Sequence, residues 1–245
     1  MIIERLEDDD ALSAALATHV LELIVARPSL VLGLPTGRTP LGLYREIRER
    51  SGGDRIDWSK VRTFNLDEFA GLDPFSEHSY RSYMQKELFD HVSIDPGNIG
   101  FLNGAAPDLK EECRRYEAAI DAVGGIDLQI LGIGANGHIG FNEPADGLCS
   151  TTHIADLTEE TREANATRFG GDWTRVPARA LSMGMATILN AREIVLMATG
   201  AEKADAVRGL IEGLITTRLP ASILQVHPRV TVMVDRPAGI LLAAD

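Results

Sequence analysis

Cysteines are few in this chain, and long apolar runs are missing. Only Cys113 and Cys149 are present among 245 residues, which favours reduced thiols over a disulfide bridge. No stretch approaches the roughly 18 consecutive apolar residues of a membrane-spanning helix, and the acidic start MIIERLEDDD has no apolar run typical of a signal peptide. We therefore expect a soluble, cytoplasmic protein.

Positive charge is also scarce. The chain has 24 Lys and Arg against 36 Asp and Glu, giving a formal net charge of -12. Because nucleic acids and anionic membranes attract basic surfaces, neither is an expected partner. An anionic substrate would have to be held by local cations. The hydrophobic content of 44% is enough for a full core, and no linker divides the chain, so we expect residues 1–245 to form a single domain.

Helical and strand-like apolar patterns alternate along the chain. The patterns predict strands at 29–34, 61–66, 127–131, 193–199 and 230–234, and helices at about 12–27, 40–49, 79–90, 108–122 and 177–189. The sheet is expected to begin at about residue 29. Short strands that alternate with helices are typical of an α/β fold with a mostly parallel sheet.

The stretch LGIGANGHIGFNEP, residues 131–144, combines a strand end with a glycine-rich loop. Its glycines let the backbone turn sharply and approach a ligand closely. His138 and Glu143 follow in the same loop, so a titrating imidazole has a carboxylate nearby that could orient it. The loop is therefore a candidate site for proton transfer.

Two other interpretations of this stretch are available. GIGANG fits the G-x-G-x-x-G pattern of dinucleotide-binding loops, which requires a helix to open at the third glycine. Residues 139–144 are poor helix formers and end in Pro144, which argues against that interpretation. A lone histidine is often structural, and the stretch by itself leaves open that His138 bonds only its own loop.

Polar groups also follow other predicted strands. Residues 34–40, LPTGRTP, connect a strand to a helix start, where unpaired amides can bind an anion; an ordinary turn is the alternative. Asp67 and Glu68 follow the strand at 61–66, at the sheet edge where open parallel sheets bind ligands, although they could be a solvated cap. Lys203 lies at a strand-to-helix junction and is well placed for an anion.

Five segments together resemble the glucosamine-6-phosphate deaminases in order and spacing. The segments are LGLPTGRTP, TFNLDEFAGL with the following SYRSYM, LGIGANGHIGFNEP, LTEETREAN and GAEKADAV. The resemblance covers nearly the whole chain. It implies a Rossmann-like α/β/α sandwich that converts glucosamine 6-phosphate and water to fructose 6-phosphate and ammonia, with no cofactor and no metal.

The resemblance also implies roles for the proton-transfer residues. Asp67 matches the base for enolisation, His138 the residue that opens the sugar ring, and Glu143 the carboxylate that orients His138. The third position of the ring-opening set is often Asp and here holds Asn136. Related deaminases use either residue at this position, so activity is expected, with altered electrostatics.

The phosphate-binding residues are implied in the same way. The loop Thr36, Gly37, Arg38 and Thr39 matches the phosphate cradle, and Lys203 matches a phosphate ligand. The phosphate-binding arginine of the family corresponds to Arg168. Because that alignment needs a one-residue insertion, Arg162 is the alternative.

Three other functions compete with this one. A 6-phosphogluconolactonase activates water at a lactone and abstracts no C2 proton, so NLDEF and GHIGFNEP favour the deaminase. A sugar-phosphate-sensing domain of a transcription regulator would need a helix-turn-helix ahead of the sheet, for which a sheet starting near residue 29 leaves no room. Galactosamine 6-phosphate differs from the glucosamine epimer only at C4, and the sequence leaves that choice open.

The segment that follows the FNEP motif bears on regulation. Some deaminases are hexamers that N-acetylglucosamine 6-phosphate activates through basic residues in this segment. Here residues 145–156 contain no Lys or Arg, and the chain stops at Asp245 without the longer C-terminal extension of the activated members. A phosphate in this segment would meet aspartates instead of cations.

We therefore predict hyperbolic kinetics, no response to N-acetylglucosamine 6-phosphate, and a monomer or small homo-oligomer. Initial rates with and without that ligand, together with light scattering, measure all three. A hexamer with sigmoidal kinetics that the ligand makes hyperbolic would contradict the prediction.

Overall fold

The computed structural model describes residues 1–51 and 56–243. Within these ranges, short strands and helices alternate along the chain. The strands are β1 (Ile2–Arg5), β2 (Val31–Leu34), β3 (Arg62–Asn65), β4 (Asp67–Phe69), β5 (Ile99–Gly100), β6 (Leu128–Leu131), β7 (His153–Asp156), β8 (Arg179–Ser182), β9 (Glu193–Ala198) and β10 (Val230–Val234). The α-helices are α1 (Asp9–Ala26), α2 (Leu41–Ser51), α3 (Tyr80–Glu87), α4 (Leu109–Ala122), α5 (Glu159–Asn165), α6 (Met185–Leu189) and α7 (Ala204–Glu212).

Seven strands form one parallel sheet in the order β1-β10-β9-β6-β2-β3-β5. Successive side chains along a strand point to opposite faces of the sheet and pack in two separate cores. In β9, Val195 and Met197 pack in the core that contains α1 and α2, whereas Ile194 and Leu196 pack in the core that contains α4 and α7. Helices therefore cover both faces, and the predicted α/β/α sandwich with a mostly parallel sheet is confirmed.

The strand order reverses between β2 and β6. From β2 the chain proceeds through β3 to β5 at one edge, then returns to place β6 on the other side of β2. The loops that leave the carboxyl ends of β2 and β6 therefore diverge and open a crevice, the usual ligand-binding position in an open α/β sheet. This reversal brings together the two loops that the sequence singled out, residues 35–39 and 132–138.

A second sheet, missing from the sequence prediction, lies beside the first. It contains β4, β8 and β7 in that order, and both pairings are antiparallel. The helix predicted over 177–189 is therefore wrong in its first half, and only Met185–Leu189 is helical. The centre of this sheet buries three of the four β8 residues, and a short, wholly buried strand has the same apolar run as a buried helix.

The first strand was also missed. The sheet begins at Ile2, because β1 pairs in parallel with β10 at its edge. All four residues of β1 are exposed, so the strand lacks the apolar pattern that a buried strand shows. The other five predicted strands are confirmed, with differences of one or two residues at their ends. No helix in the described part of the chain is long and apolar enough to cross a membrane.

Gly104 determines how closely its loop can approach β4, which carries Asp67. Gly71 N donates to Gly104 O at 2.7 Å, and a Cβ at Gly104 would lie 2.0 Å from Phe69 O. Backbone atoms would have to move to relieve that contact.

We predict that Gly104→Ala lowers the free energy of unfolding by about 1–3 kcal/mol, the usual cost of overpacking. Denaturant unfolding measures the change. Gly147→Ala is the matched control, because a Cβ at Gly147 meets no atom within 4 Å. Equal stability of the two variants would contradict the prediction.

Candidate active site

A cavity of about 410 Å³ opens at the crevice between the β2 and β6 loops. Its volume is within the range of small-molecule sites. The lining contains eight of the ten residues proposed from the sequence or its resemblance: Thr36, Gly37, Arg38, Thr39, Asp67, Asn136, His138 and Lys203. Glu143 does not line the cavity but contacts Asn136 and His138, which do, and Arg168 does not line it either.

Asp67 is the buried carboxylate of the cavity. It begins β4 directly after β3 ends, so the strand-end position predicted from the sequence is confirmed. The residue is 7% exposed, and Thr36 Oγ1 donates to its Oδ1 at 3.3 Å. Burial first, and then the charge of Glu68, raise the pKa of Asp67 to about 7, although the bond from Thr36 opposes them. Such a carboxyl group can accept and return a proton near neutral pH.

Glu68 points to the other side of β4 and serves a structural purpose. Its carboxylate accepts from the backbone N–H groups of Phe69, Tyr80 and Arg81 at 2.8–3.0 Å. Burial raises its pKa, and these three bonds oppose that rise. Glu68 therefore attaches the start of α3 to β4 and brings Tyr80 to the cavity wall.

His138, Glu143 and Asn136 lie together in the glycine loop. Glu143 Oε2 lies 3.4 Å from His138 Nδ1 and accepts from Asn136 Nδ2 at 2.9 Å. Asn136 Oδ1 in turn accepts from the backbone N–H of His138 at 3.1 Å. Nδ1 of His138 has no hydrogen-bond partner among the described residues, so its approach to Glu143 has room to tighten when substrate binds.

The charge of Glu143 is maintained although the residue is partly buried. Burial by itself would raise the pKa of Glu143, but the neighbouring His138, whose Nδ1 lies 3.4 Å away, and then the bonds from Thr161 and Asn136 lower the pKa to about 2. Glu143 is therefore an anion at neutral pH. An anion beside the imidazole can orient it and stabilise its protonated form.

Gly134 explains why the loop needs glycine. A Cβ at Gly134 would lie 2.4 Å from His138 Cε1, so any larger residue would displace the imidazole. Gly137 has a φ of 85° and thus the left-handed backbone that glycine favours. The residues after it form an isolated bridge between Ile139 and Asn142 instead of the helix that a dinucleotide site requires.

The loop after β2 presents its backbone to the opposite part of the cavity. Tyr44 Oη donates to Pro35 O at 2.5 Å, and Tyr83 Oη donates to Gly37 O at 2.7 Å. Gly37 has a φ of 99°, which allows the tight turn. These contacts hold the loop at the start of α2, where free amides can face an anion.

Two cations line the cavity without acidic partners. In residues 1–51 and 56–243, neither Arg38 nor Lys203 is within ion-pair distance of a carboxylate. Burial lowers the pKa of Lys203; Glu202 opposes this shift, and Arg38 adds to it. A bound anion would compensate both charges.

Arg168 lies next to the cavity and does not line it. Its guanidinium packs over the rings of Tyr80 and Tyr83, 5.1 Å from each centroid, and donates to His78 O and Ser79 O. Tyr80 itself lines the cavity, so one ring separates Arg168 from it.

The alternative arginine faces elsewhere. Arg162 packs over Trp173 at 4.9 Å and donates to the carbonyl oxygens of Thr174 and Val176. These contacts belong to the turn that follows α5. Arg168 thus packs on a residue that lines the cavity, Tyr80, whereas these contacts of Arg162 are to residues outside the lining.

The lining residues that sequence reasoning did not single out include Tyr80, Thr161 and Asn165. Tyr80 Oη donates to Asn165 Oδ1 at 2.9 Å, and Thr161 Oγ1 donates to Glu143 Oε1. All three lie in the segments SYRSYM and LTEETREAN, which carried the resemblance without assigned roles. The only signal was therefore their membership of those motifs. In the described ranges no group of three or more His, Cys, Asp or Glu side chains is arranged to hold a metal ion.

Comparison with known proteins agrees with this geometry. A family described as glucosamine-6-phosphate isomerases/6-phosphogluconolactonase matches residues 7–233. A relative from Halothermothrix orenii, named glucosamine-6-phosphate deaminase, is 49% identical over 94% of this chain and 95% of its own length. A relative of the same name from Thermoanaerobacter pseudethanolicus is 46% identical over 95% of this chain and 92% of its own length.

Solved structures show the same fold. A structure described as a monomeric glucosamine-6-phosphate deaminase is 43% identical and superposes with a TM-score of 0.95, covering 98% of this chain and 100% of the other. A 6-phosphogluconolactonase from Thermotoga maritima, 20% identical with a TM-score of 0.73, covers 96% of this chain and 99% of the other and shares the fold alone. The match over residues 7–233 and the 49% identity show that the chain belongs to the glucosamine-6-phosphate isomerase/6-phosphogluconolactonase family.

Proposed function

We propose that the protein is a glucosamine-6-phosphate deaminase, which converts glucosamine 6-phosphate and water to fructose 6-phosphate and ammonia. One observation supports this proposal above all. The same cavity contains Asp67, a base with a pKa near neutrality, and His138, an imidazole oriented by an anion. Two unpaired cations, Arg38 and Lys203, line the same cavity. Relatives at 46–49% identity carry this name.

Ring opening is the first step, because the cyclic sugar has no carbonyl next to C2. His138 accepts the proton of the O1 hydroxyl and delivers a proton to the ring oxygen, while Glu143 stabilises the imidazolium in between. Asn136 donates to Glu143 and accepts from the backbone N–H of His138, so it fixes the position of one relative to the other. The product is the open-chain aldehyde.

Isomerisation and deamination follow. Asp67 removes the C2 proton, which the C1 carbonyl has made acidic, and returns it to C1 of the resulting enolamine. In the same conversion the amine gives up a proton and O1 gains one, so C1 carries a hydroxyl group and the nitrogen at C2 is then an imine. Water adds to C2, ammonia leaves, and the C2 ketone of fructose 6-phosphate remains. Because Asp67 gives back the proton it took, the enzyme ends in its starting state.

The phosphate anchors the substrate far from the reacting carbons. The backbone of residues 36–39, Arg38 and Lys203 would bind it, and Arg168 would join them if its side chain leaves Tyr80. Binding energy from this remote group can align C1 and C2 with the two bases.

A lactonase is the second candidate on this fold. It would need one base to activate water, and a buried base near C2 would have no task. The presence of both Asp67 and the His138 relay therefore favours the deaminase. The epimer at C4 stays open, and an ammonia-release assay with glucosamine 6-phosphate and galactosamine 6-phosphate decides it.

The proposal extends to the oligomeric state, the domain organisation and the location of the protein. A monomer is favoured because the similar structure at 43% identity is described as monomeric. Residues 1–245 as one domain, a cytoplasmic location and the lack of nucleic-acid or membrane partners stay predictions from composition.

The first prediction here concerns Asp67. Asp67→Asn should lower kcat at least about 100-fold, because the variant has no base for the C2 proton. In the parent, kcat/KM should rise as pH increases through about 7, since only the deprotonated carboxylate acts. Rates of ammonia release and of solvent-hydrogen exchange at C2 measure both effects. Asp121→Asn is the control, because Asp121 is an exposed residue of α4 outside the cavity. Near-normal turnover by Asp67→Asn would exclude Asp67 as the base.

The second concerns the anion. Lys203→Ala should raise KM about 10- to 100-fold with a smaller change in kcat, since a charge-assisted contact contributes roughly 1.5–3 kcal/mol. Lys86→Ala is the control, because Lys86 is 84% exposed on α3 outside the cavity. Competition by inorganic phosphate checks the cause. A larger KM effect from Arg162→Ala than from Arg168→Ala would show that the alignment to Arg168 is wrong.

A further inference from the structure

Thr161 contacts the side of Glu143 that faces away from the imidazole. The Thr161 hydroxyl donates to Oε1 of Glu143, while Oε2 receives Asn136 Nδ2 at 2.9 Å and faces His138 Nδ1 at 3.4 Å. Each carboxylate oxygen therefore has its own partners. Because rotation of the carboxylate would break both sets of contacts, the donor at Oε1 helps to determine where Oε2 points.

The backbone of Thr161 is held on both sides. Its N–H donates to Thr158 Oγ1 at 3.2 Å, and its carbonyl accepts from Asn165 Nδ2 at 2.8 Å. The Thr161 residue is 3% exposed. Threonine is also stiff about its first side-chain torsion. The hydroxyl that reaches Glu143 therefore starts from a well-fixed position.

The needs of helix α5 do not account for this contact. Thr161 is the third residue of the helix after its N-cap Thr158, a position whose side chain commonly reaches back to the N-cap. Helical threonines otherwise commonly bond the carbonyl of the preceding turn. Here the hydroxyl bonds a carboxylate 18 residues away in another loop, so the contact serves the loop that carries His138.

We infer that Thr161 is a positioning residue that holds the Glu143 carboxylate in the orientation in which it supports His138 during ring opening. This inference rests on the proposed deaminase function. Thr161 would act through Glu143 alone and would touch neither the reacting carbons nor the phosphate. Its hydroxyl also stabilises the anionic form of a carboxylate that burial opposes.

The test removes the hydroxyl while keeping the shape. Thr161→Val should lower kcat about tenfold or more, the loss expected for a hydrogen bond to a charged group, and leave KM within about twofold. Thr161→Ser, which restores the donor, should recover most of the parent kcat. If the valine variant does not fold, Thr161→Ala is measured in its place.

A double-mutant cycle tests whether Thr161 acts through Glu143. In a variant that already carries Glu143→Ala, Thr161→Val should lower kcat by less than about twofold, because the carboxylate that the Thr161 hydroxyl bonds has been removed. Thr187→Val is the matched structural control, since buried Thr187 donates its hydroxyl to the Glu117 carboxylate at 2.6 Å and neither residue lines the cavity. It should lower Tm as much as Thr161→Val and kcat much less.

The outcomes separate this inference from the proposed function. A parent that releases ammonia from glucosamine 6-phosphate, with a Thr161→Val variant of normal kcat, would overturn the inference and leave the function standing. Independent, multiplying effects of Thr161→Val and Glu143→Ala would also overturn it, as would kcat losses that follow Tm equally in Thr161→Val and Thr187→Val. A parent without turnover would overturn both proposals.

Discussion

The parallel pairing of β2 with β6 is the constraint on which the site depends. Leu32 and Gly33 of β2 pair with Leu128 and Gln129 of β6, although the two strands are distant in sequence. Gly33 makes the pairing feasible, because a Cβ there would lie 2.0 Å from Gln129 Oε1. The chain leaves these two strands in opposite directions across the sheet. Their loops therefore part at the carboxyl edge, and the cavity lies where they part.

Two carboxylates of the site, Asp67 and Glu143, are both removed from solvent but differ in the hydrogen-bond donors around them. Asp67 is buried beside a second carboxylate and accepts only one weak hydrogen bond from Thr36, so its pKa is raised to about 7. Glu143 is partly buried among donors and stays charged. The same functional group thus acts as a proton acceptor in one place and as a fixed anion in another. In an acidic chain, the two unpaired cations of the cavity provide the local field for an anionic substrate.

Helix α5 connects these parts, although it has only seven residues. Thr161 reaches the relay loop, and Asn165 accepts from Tyr80, whose ring supports Arg168. Glu68 fixes the other end of this chain of contacts by bonding the start of α3. A few polar contacts around Asp67 and His138 therefore connect the glycine loop, α5 and the second sheet.

The sequence by itself determined the α/β class, five of the strands and most of the candidate residues, because buried parallel strands and long helices leave regular apolar patterns. Its motifs also identified the deaminase resemblance. Exposed β1 and short, buried β8 left no such pattern, so only the tertiary structure decided the sheet edge and the second sheet. It alone placed Arg168 on Tyr80 and Thr161 on Glu143, because those contacts join segments whose approach depends on the packing of the whole chain.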